Sequence, residues 1–235
     1  MSNFLHGVQV VEVDEGAKNV NLVSSSVIGV VGTAPEAKEE DFPLNTPVLI
    51  SGSLTEAAKL GKTGTLPNAL DGILSQVGAA VVVVRINEEQ NEEGEVDAEA
   101  TQLNVIGEAL PDGSYTGAHA LLAAKSKLGL SPRILIAPGF SSTKEVATEL
   151  ITIANRLRAV VIADAPDGTN EEIIKFTTDC TSPRLYAVYP SVVNTKGETV
   201  PASSYVAGVL AKSDNENGFW VSPSNKTIAG IVGLS

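Results

Sequence analysis

The sequence contains few of the residues that build metal sites, disulfides and catalytic dyads. Its 235 residues include one cysteine and two histidines, and aromatic residues make up only 4% of the chain. The single cysteine, Cys180, excludes an internal disulfide framework and is typical of a protein that folds in a reducing cytoplasm. His6, His119 and Cys180 are too widely spaced in the sequence to suggest a zinc site. We therefore predict no metal and no cofactor.

Basic residues and long apolar runs are also scarce. The chain has 16 lysine and arginine residues against 28 aspartate and glutamate residues, which gives a formal net charge of −12. This balance argues against a nucleic-acid partner, because phosphates are bound by clusters of basic side chains. The longest apolar run, residues 78–84, is far too short to span a bilayer, and the N-terminus has no signal-peptide pattern. We predict no nucleic-acid partner and no membrane insertion.

Short apolar segments alternate with helical patterns along most of the chain. With so few aromatic residues, the core has to be built from Val, Ile, Leu and Ala. Unbroken apolar strands followed by helices are typical of βαβ units, so we predict an α/β fold with a mostly parallel or mixed sheet flanked by helices. Predicted strands cover residues 27–31, 46–50, 79–85, 133–137, 159–163 and 185–189. Predicted helices cover residues 54–59, 67–77, 117–128, 142–158, 170–178 and 202–212.

The composition divides the chain into three parts. Residues 1–24 are a predicted N-terminal extended arm, residues 25–86 and 116–235 the α/β core, and residues 87–115 an acidic inserted loop. Every charged residue between positions 88 and 99 is acidic. Such a block repels itself, so we predict that residues 88–99 are among the most mobile of the chain. A short strand is expected at residues 103–107.

The N-terminal arm carries four valines, at positions 8, 10, 11 and 13, that favour an extended strand. Residues 14–19 follow with the composition of a turn. A lone strand leaves its edges unpaired, so it has to join a sheet. Two interpretations are open: the segment is the first strand of its own domain's sheet, or it is donated to a neighbouring subunit.

The only tryptophan, Trp220, lies in residues 218–225, whose sequence is GFWVSPSN. It is either a core anchor under a loop or an interface hot spot, a role in which tryptophan is enriched. The sequence leaves both interpretations open. The candidate subunit-interface residues are Val8, Val10, Val11, Glu12, Val13 and Trp220.

No sequence motif supplies a catalytic site. The GKT segment at residues 61–63 matches the end of a phosphate-binding loop, but that motif needs a glycine where Glu56 stands. Asp164 and Asp167 follow a predicted strand, where α/β enzymes place catalytic groups, yet turn and helix-cap chemistry explains them better. A Ser-His-Asp triad needs a histidine base, and His119 lies on an alanine-rich helix in a chain without a nucleophile elbow. We predict no catalytic residue.

Several stretches follow one another in an order that points to a known family. The most specific is the end of the chain, with a proline-started helix of small residues, a tryptophan-containing loop and a final apolar segment. In chain order the stretches are residues 6–8 (HGV) with Glu12, 27–35, 42–47, 64–70, 81–85, 132–139, 156–160, 198–214, 218–225 and 227–235. Their succession resembles the tail sheath proteins of contractile-tail bacteriophages and related phage-tail-like particles.

The resemblance implies a structural protein rather than an enzyme. Sheath subunits assemble as hexameric rings into a helical sheath around a tail tube, and contraction drives the tube through a target cell envelope. The implied partners are other copies of the chain, the tail tube protein and baseplate proteins. The implied location is the virion tail, assembled in the cytoplasm of the bacterial host. A subtilisin-like topology without a catalytic triad is implied as well.

The resemblance also bears on the two ends of the chain. Sheath subunits are linked by swapped terminal arms, which favours a donated strand in residues 1–24. Family members usually continue into a C-terminal domain that binds the tube, so we expect a sheath protein that lacks this domain. The alternatives are an α/β hydrolase-like or nucleotide-dependent enzyme, or another oligomeric scaffold protein of the same fold.

Overall fold

Six strands form the central sheet of the protein. The computed structural model describes residues 25–91 and 94–235. The strands lie in the order β2-β3-β1-β4-β5-β6, and every neighbouring pair is parallel except β2 with β3. The predicted α/β class with a mostly parallel sheet is confirmed. The strands are β1 (Ile28–Thr33), β2 (Pro47–Ser51), β3 (Ala80–Ile86), β4 (Ile134–Ile136), β5 (Val160–Asp164) and β6 (Leu185–Val188).

The inner strands are apolar on both of their faces. Every residue of β1, β3 and β4 is buried, and Val30 of β1 lies between Val83 of β3 and Ile136 of β4. Helices cover both faces of this sheet, so an unbroken run of valine and isoleucine is more favourable than alternation with polar residues. The edge strand β6 has no fully buried residue, so its side chains reach the surface.

The helices pack on the sheet in two layers. One face is covered by α3 (Ala98–Ile106), a 3-10 helix (Gly117–Ala123) that continues as α4 (Ala124–Leu128), α5 (Lys144–Leu157) and α6 (Asn170–Asp179). The other face is covered by α1 (Leu54–Ala58), α2 (Thr65–Gln76) and α7 (Ser203–Asn217). The result is a three-layer α/β/α arrangement with one apolar core on each side of the sheet.

The predicted helices are present, with some of their ends shifted. Helix α2 begins at Thr65, two residues before Pro67, because the hydroxyl oxygen of Thr33 accepts a hydrogen bond from the Thr65 backbone N–H at 3.2 Å. The first seven residues of the helix predicted at 117–128 are 3-10 rather than α-helical. Helix α7 continues five residues past its predicted end, until Gly218 stops it with a positive φ of 89°.

Helices α2 and α7 approach each other closely at two glycines. A Cβ atom at Gly72 would lie 2.7 Å from Ser204 Oγ, and one at Gly208 would lie 2.7 Å from Gln76 Cγ. Any side chain at either position would push the helices apart. The small residues of α7 therefore allow this helix to pack closely on α2. The sequence alone does not reveal this reason for them.

A second, smaller sheet escaped the sequence analysis. Its strands β7 (Val192–Asn194), β8 (Thr199–Val200) and β9 (Ile231–Leu234) are antiparallel in the order β8-β7-β9. Strands of two to four residues are too short to show a clear periodicity. The Gln76 side chain of α2 attaches the segment before β9, since its Nε2 donates to Ala229 O at 2.7 Å and its Oε1 accepts from Ala229 N at 2.8 Å.

The acidic insertion contains a helix where a strand was expected. The prediction of a short strand at residues 103–107 is wrong, because α3 covers most of that segment. Asp97 caps the start of α3 by accepting a hydrogen bond from Ala100 N at 3.0 Å. Val105 of this helix is buried in the core on the sheet face that α3, α5 and α6 cover. The mobility of residues 88–99 stays a prediction. Within the described ranges, no helix is long and apolar enough to cross a membrane.

Candidate subunit interface

The carboxyl end of the parallel sheet is where α/β enzymes keep catalytic groups, and here it holds Asp164. Its Oδ1 accepts from Ser203 N at 2.8 Å, and its Oδ2 accepts from the hydroxyls of Ser203 at 2.6 Å and Ser141 at 3.3 Å. The Ser141 hydroxyl in turn accepts from the backbone N–H of Asp164 at 3.0 Å. Asp164 therefore fastens the start of α7 to the end of β5.

This cluster is closed to a substrate. Ser141, Asp164 and Ser203 are all buried. Burial raises the pKa of the Asp164 carboxyl, while its hydrogen bonds from Ser203 and Ser141 act in the opposite direction. Asp164 has the predicted helix-cap role, and the helix that it caps is α7. Ala202, the N-cap residue of α7, makes no side-chain hydrogen bond of its own. The nearby helix α6 is opened by a capping box between Thr169 and Glu172 instead.

The other residues that were considered for catalysis have structural partners. His119 Nε2 lies 3.0 Å from Glu149 Oε1, and Asp164 is bonded to hydroxyls and backbone N–H groups rather than to a histidine. His6 lies outside the described residues. In residues 25–91 and 94–235, no three His, Cys, Asp or Glu side chains are grouped so that they could hold a metal ion.

The loop at residues 61–63 faces a carboxylate rather than a phosphate. The backbone N–H of Lys62 donates to Glu36 Oε2 at 2.8 Å. The sequence also predicts that Gly61 ends the preceding helix, and this is wrong: α1 stops at Ala58 with Lys59 as its C-cap, although Gly61 has a positive φ of 85°. A negative side chain already occupies the donor that a phosphate-binding loop would offer to its ligand.

An exposed aromatic surface beside the central sheet is formed by Tyr186, Phe219 and Trp220. Tyr186 lies on the edge strand β6, and the other two residues follow the end of α7. Their exposed fractions are 58%, 71% and 75%. The rings of Phe219 and Trp220 meet edge to face, with centroids 5.2 Å apart and an interplanar angle of 78°. Large apolar side chains grouped in this way are typical of contact surfaces.

Gly218 determines how the aromatic surface is built. A Cβ atom at this position would lie 2.5 Å from Cη2 of the Trp220 ring. The ring therefore folds back over the end of α7 in space that only glycine leaves free. The same positive φ that ends α7 also turns the chain so that Phe219 and Trp220 follow each other onto the surface.

A cavity of about 550 Å³ opens beside these three aromatic residues. Apolar residues of α7, and both apolar and polar residues of the segment after Trp220, line it. A mixture of apolar and polar lining residues suits contact with another protein surface. The lining residues include Val206, Val209, Leu210, Val221, Pro223 and Ile228, together with Ser222, Ser224, Asn225 and Lys226.

The structure decides one of the two interpretations of Trp220. A side chain that is 75% exposed is not a core anchor, so that interpretation is wrong. The interface role of Trp220 stays a prediction. Sequence reasoning missed Phe219 and Tyr186, because neither residue type nor spacing shows which aromatic residues reach the surface. The remaining candidates, Val8, Val10, Val11, Glu12 and Val13, lie outside the described residues.

Two family models match separate parts of the chain. The model of the phage tail sheath protein central domain matches residues 113–235. The model of the N-terminal region of domain III of the tail sheath protein Gp18 matches residues 25–86. Together they cover both parts of the predicted α/β core, and the segment between them contains α3.

Curated relatives match nearly the whole chain. The major tail sheath protein of Serratia phage KSP20 is 37% identical over 240 residues, which cover 99% of this chain and 60% of that protein. The tail sheath protein of Escherichia phage P2 is 36% identical over 241 residues, which cover 100% of this chain and 61% of that protein. The chain thus spans about 60% of the length of these relatives.

Solved structures show the same fold. The helical sheath of the anti-feeding prophage in its contracted state contains a chain that matches with a TM-score of 0.56 at 20% identity. The match covers 97% of this chain and 58% of that chain. The sequence of secondary structures, the two family models and the identity to sheath proteins agree. The chain belongs to the phage tail sheath protein family.

Proposed function

We propose that this chain is a structural subunit of a contractile tail sheath. In this role it polymerises around a tail tube and contracts to drive the tube through a target cell envelope. The observation that carries the proposal is the aromatic surface, an exposed apolar feature on a member of the tail sheath family. Burying these rings against another subunit would provide favourable free energy without any chemical reaction.

The polar groups of the described residues support a structural role rather than a catalytic one. Asp164, Ser141 and Ser203 are buried and bonded to one another, and the donor at Lys62 is bonded to Glu36. The energy for contraction would then come from changes in the contacts between subunits. Each body would move as a nearly rigid α/β unit made of residues 25–86 and 116–235.

The partners in this proposal are other copies of the chain, the tail tube protein and baseplate proteins. Other copies would form hexameric rings that stack into a helical sheath, and the N-terminal arm would link neighbouring bodies. The protein would be located in the virion tail after assembly in the cytoplasm of its bacterial host. The relatives' names support the sheath role, since both are described as tail sheath proteins.

Electron microscopy of the protein expressed from its complete gene tests the proposal. We expect rings or tubes for the wild type, and loss of both in the double variant Phe219→Ser, Trp220→Ser. Leu103→Ser is the matched control, because Leu103 is an equally exposed apolar residue on α3, at 68%. Its assembly should be unchanged. Circular dichroism checks that all three proteins are folded.

The possible results separate the parts of the proposal. Wild-type protein that forms neither rings nor tubes, alone or with its tube protein, would contradict the sheath function. Normal assembly of the double variant would show that the aromatic surface is not the interface, while the sheath function would stand. Equal loss of assembly in Leu103→Ser would mean that any exposed apolar residue matters, and the aromatic surface would have no special role.

A further inference from the structure

A second cavity, which we name the basic groove, adjoins the aromatic surface. Its volume is about 370 Å³, and it shares Tyr186, Leu210 and Phe219 with the cavity described above. It lies at the amino end of the parallel sheet, because Val160, the first residue of β5, is among its lining residues. Arg158, two residues before this strand, lines the groove as well. The groove therefore places a cation beside two exposed aromatic side chains.

Arg158 carries the accessible charge of the basic groove. The residue is exposed, and its side chain has no hydrogen bond or ion pair to another residue in the described part of the chain. The other two charged lining residues are engaged or covered. The Arg133 guanidinium donates to the carbonyl oxygen of Leu157, and Asp214 is buried at the end of α7. A partner that enters the groove therefore meets a single exposed cation.

The backbone conformation of Arg158 indicates a role for its side chain. Arg158 ends α5 with φ 54° and ψ 41°, in the left-handed region where a residue with a Cβ atom is less favourable than glycine. The dipole of α5 favours a cation near the end of the helix, but Arg156 in the last turn already provides one. A backbone outlier of this kind supports a function for the side chain. Because the Arg158 side chain bonds to no other described residue, we expect its contact outside its own subunit.

Exposed carboxylates lie at the opposite end of β5. This strand ends at Asp164, and Asp167 lies in the turn that leads from it to α6. Asp167 and Glu171 are exposed, and neither side chain bonds to another residue of the described ranges. Ile174, one helical turn after Glu171, is an apolar residue with 63% exposure. We name Asp167, Glu171 and Ile174 the acidic corner.

The basic groove and the acidic corner are complementary, but they cannot meet within one subunit. The groove offers a guanidinium and aromatic rings, and the corner offers carboxylates and an apolar side chain. Strand β5 is five residues long, so about 13 Å of rigid strand separates the two surfaces. Each surface is therefore available only to another molecule.

We propose that the acidic corner of one copy binds in the basic groove of a second copy. Arg158 of one copy faces Asp167 and Glu171 of the next, and Ile174 of the next copy packs on the ring of Phe219. Each copy in such a pair keeps one groove or one corner open. Copies therefore add head to tail, and this kind of contact produces a ring or a helix.

This inference rests on the proposed sheath function and specifies the contact between its subunits. The competing surface is on α3, where exposed Leu103 follows Glu99 by one helical turn. Helix α3 follows β3, on the other half of the sheet from β5 and β6. Helix α6 connects β5 to β6, so the acidic corner lies on the same half as the groove. Copies can then stack end to end along that half.

Crosslinking of cysteine variants tests the direction of the contact. Arg158→Cys and Glu171→Cys are prepared separately in the full-length protein, mixed, and treated with a short bismaleimide. Mass spectrometry should identify links between positions 158 and 171, which can form only between copies in this mixture. Links of position 158 to itself as the main product would indicate a two-fold contact and overturn the proposal. Absence of both kinds of link would overturn it as well.

Charge reversal tests the ion pair. Arg158→Glu and Glu171→Lys should each weaken association about tenfold, measured by light scattering over a range of protein concentrations. Combining both changes in one chain should restore association, because every contact again joins opposite charges. Loss of association in Arg158→Glu without recovery in the combined variant would contradict the proposal. Circular dichroism checks that each variant is folded.

Glu99→Lys is the matched control, because Glu99 is an exposed glutamate in the first turn of α3, as Glu171 is in α6. Its association should equal that of the wild type. An equal loss in Glu99→Lys, with none in Glu171→Lys, would place α3 in the groove and overturn the proposal for α6.

The results for this contact and for the sheath function are separable. Rings or tubes without links between positions 158 and 171 would overturn the head-to-tail contact, while the sheath function would stand. Links between these positions in a protein that forms neither rings nor tubes would support the contact and contradict the sheath function.

Discussion

The two ends of the parallel sheet have opposite characters. At the carboxyl end, Asp164, Ser141 and Ser203 are buried, and their polar atoms bond to one another and to the start of α7. At the amino end, Tyr186, Phe219 and Arg158 are exposed beside the first residues of β4 and β5. In an α/β enzyme the carboxyl end would be open and chemically active.

The difference shows how one fold can be used without catalysis. Polar groups that could act on a substrate instead fasten α7, and α7 in turn ends in the loop that carries Phe219 and Trp220. The buried polar residues at the carboxyl end thus hold in place the helix that positions the exposed aromatic residues. The comparison predicts large effects on stability from changes at the carboxyl end and small effects from changes at the aromatic surface.

The largest effect is expected for Asp164→Ala. This change leaves the backbone N–H of Ser203 and two buried hydroxyls without their acceptor, and unsatisfied buried donors are costly. We expect the free energy of unfolding to fall by about 3 kcal/mol. Urea denaturation followed by circular dichroism measures it. Asp167→Ala is the control, because Asp167 is exposed in the neighbouring turn, and its effect should stay within about 0.5 kcal/mol. Similar values for both variants would refute the structural role of Asp164.

The next effect is expected at Gly218. Gly218→Ala introduces a Cβ atom into the space of the Trp220 ring and strains a positive φ of 89°. Gly113→Ala is a close match, because Gly113 has a φ of 85° and nothing lies within 4 Å of its Cβ position. Both variants should lose about 1 kcal/mol from backbone strain. Only Gly218→Ala should also change the emission of Trp220 and lose further stability. An unchanged emission spectrum would mean that Gly218 does not shape the aromatic surface.

A smaller effect concerns the pH dependence of stability. Burial raises the pKa of Asp164 in the folded protein above its ordinary value of 3.8. The folded state therefore holds this proton more tightly than the unfolded state, so the contribution of Asp164 is greatest below the ordinary pKa and declines as pH rises through the folded-state pKa. We expect the free energy of unfolding of Asp164→Asn to rise relative to that of the wild type as pH increases from about 4 towards neutral. Urea titrations of both proteins at several pH values measure the difference. A difference that is constant, or that moves in favour of the wild type, would show that the pKa of Asp164 is not raised.

Sequence reasoning predicted the inner part of the fold well. The continuous apolar runs of β1 and β3, followed by helical patterns, are typical of strands buried between two helical layers, so the fold class could be predicted from this alternation. Helix α1 is likewise capped by a residue next to it in the sequence, since Ser53 Oγ accepts from Glu56 N at 3.2 Å. In these elements the local pattern and the tertiary contacts favour the same structure.

The parts that escaped prediction depend on contacts between distant residues. Strands β7, β8 and β9 are too short to be recognised, and the segment before β9 is held by Gln76, 153 residues away. Asp164 was interpreted as part of the local turn, but it accepts a hydrogen bond from Ser203 N, 39 residues further along the chain. Of the three residues of the aromatic surface, the sequence analysis proposed only Trp220 as an interface residue. Nothing in the sequence shows that Tyr186 lies on an edge strand beside it.

The smallest change in stability is expected for Trp220→Ala, although tryptophan is the largest side chain. Because 75% of Trp220 is exposed, its removal takes away mainly the edge-to-face contact with Phe219, which is worth about 0.5–1.5 kcal/mol. Leu150→Ala is the contrasting variant, since Leu150 is fully buried in α5 and should cost about 3 kcal/mol. Thermal and urea unfolding of both variants measure the two values. If Trp220→Ala were as destabilising as Leu150→Ala, the tryptophan would be part of the core of the protein, and the contrast between a buried carboxyl end and an exposed amino end would fail. If it were nearly neutral, a defect in assembly caused by the same change could be assigned to the lost contact between subunits rather than to unfolding.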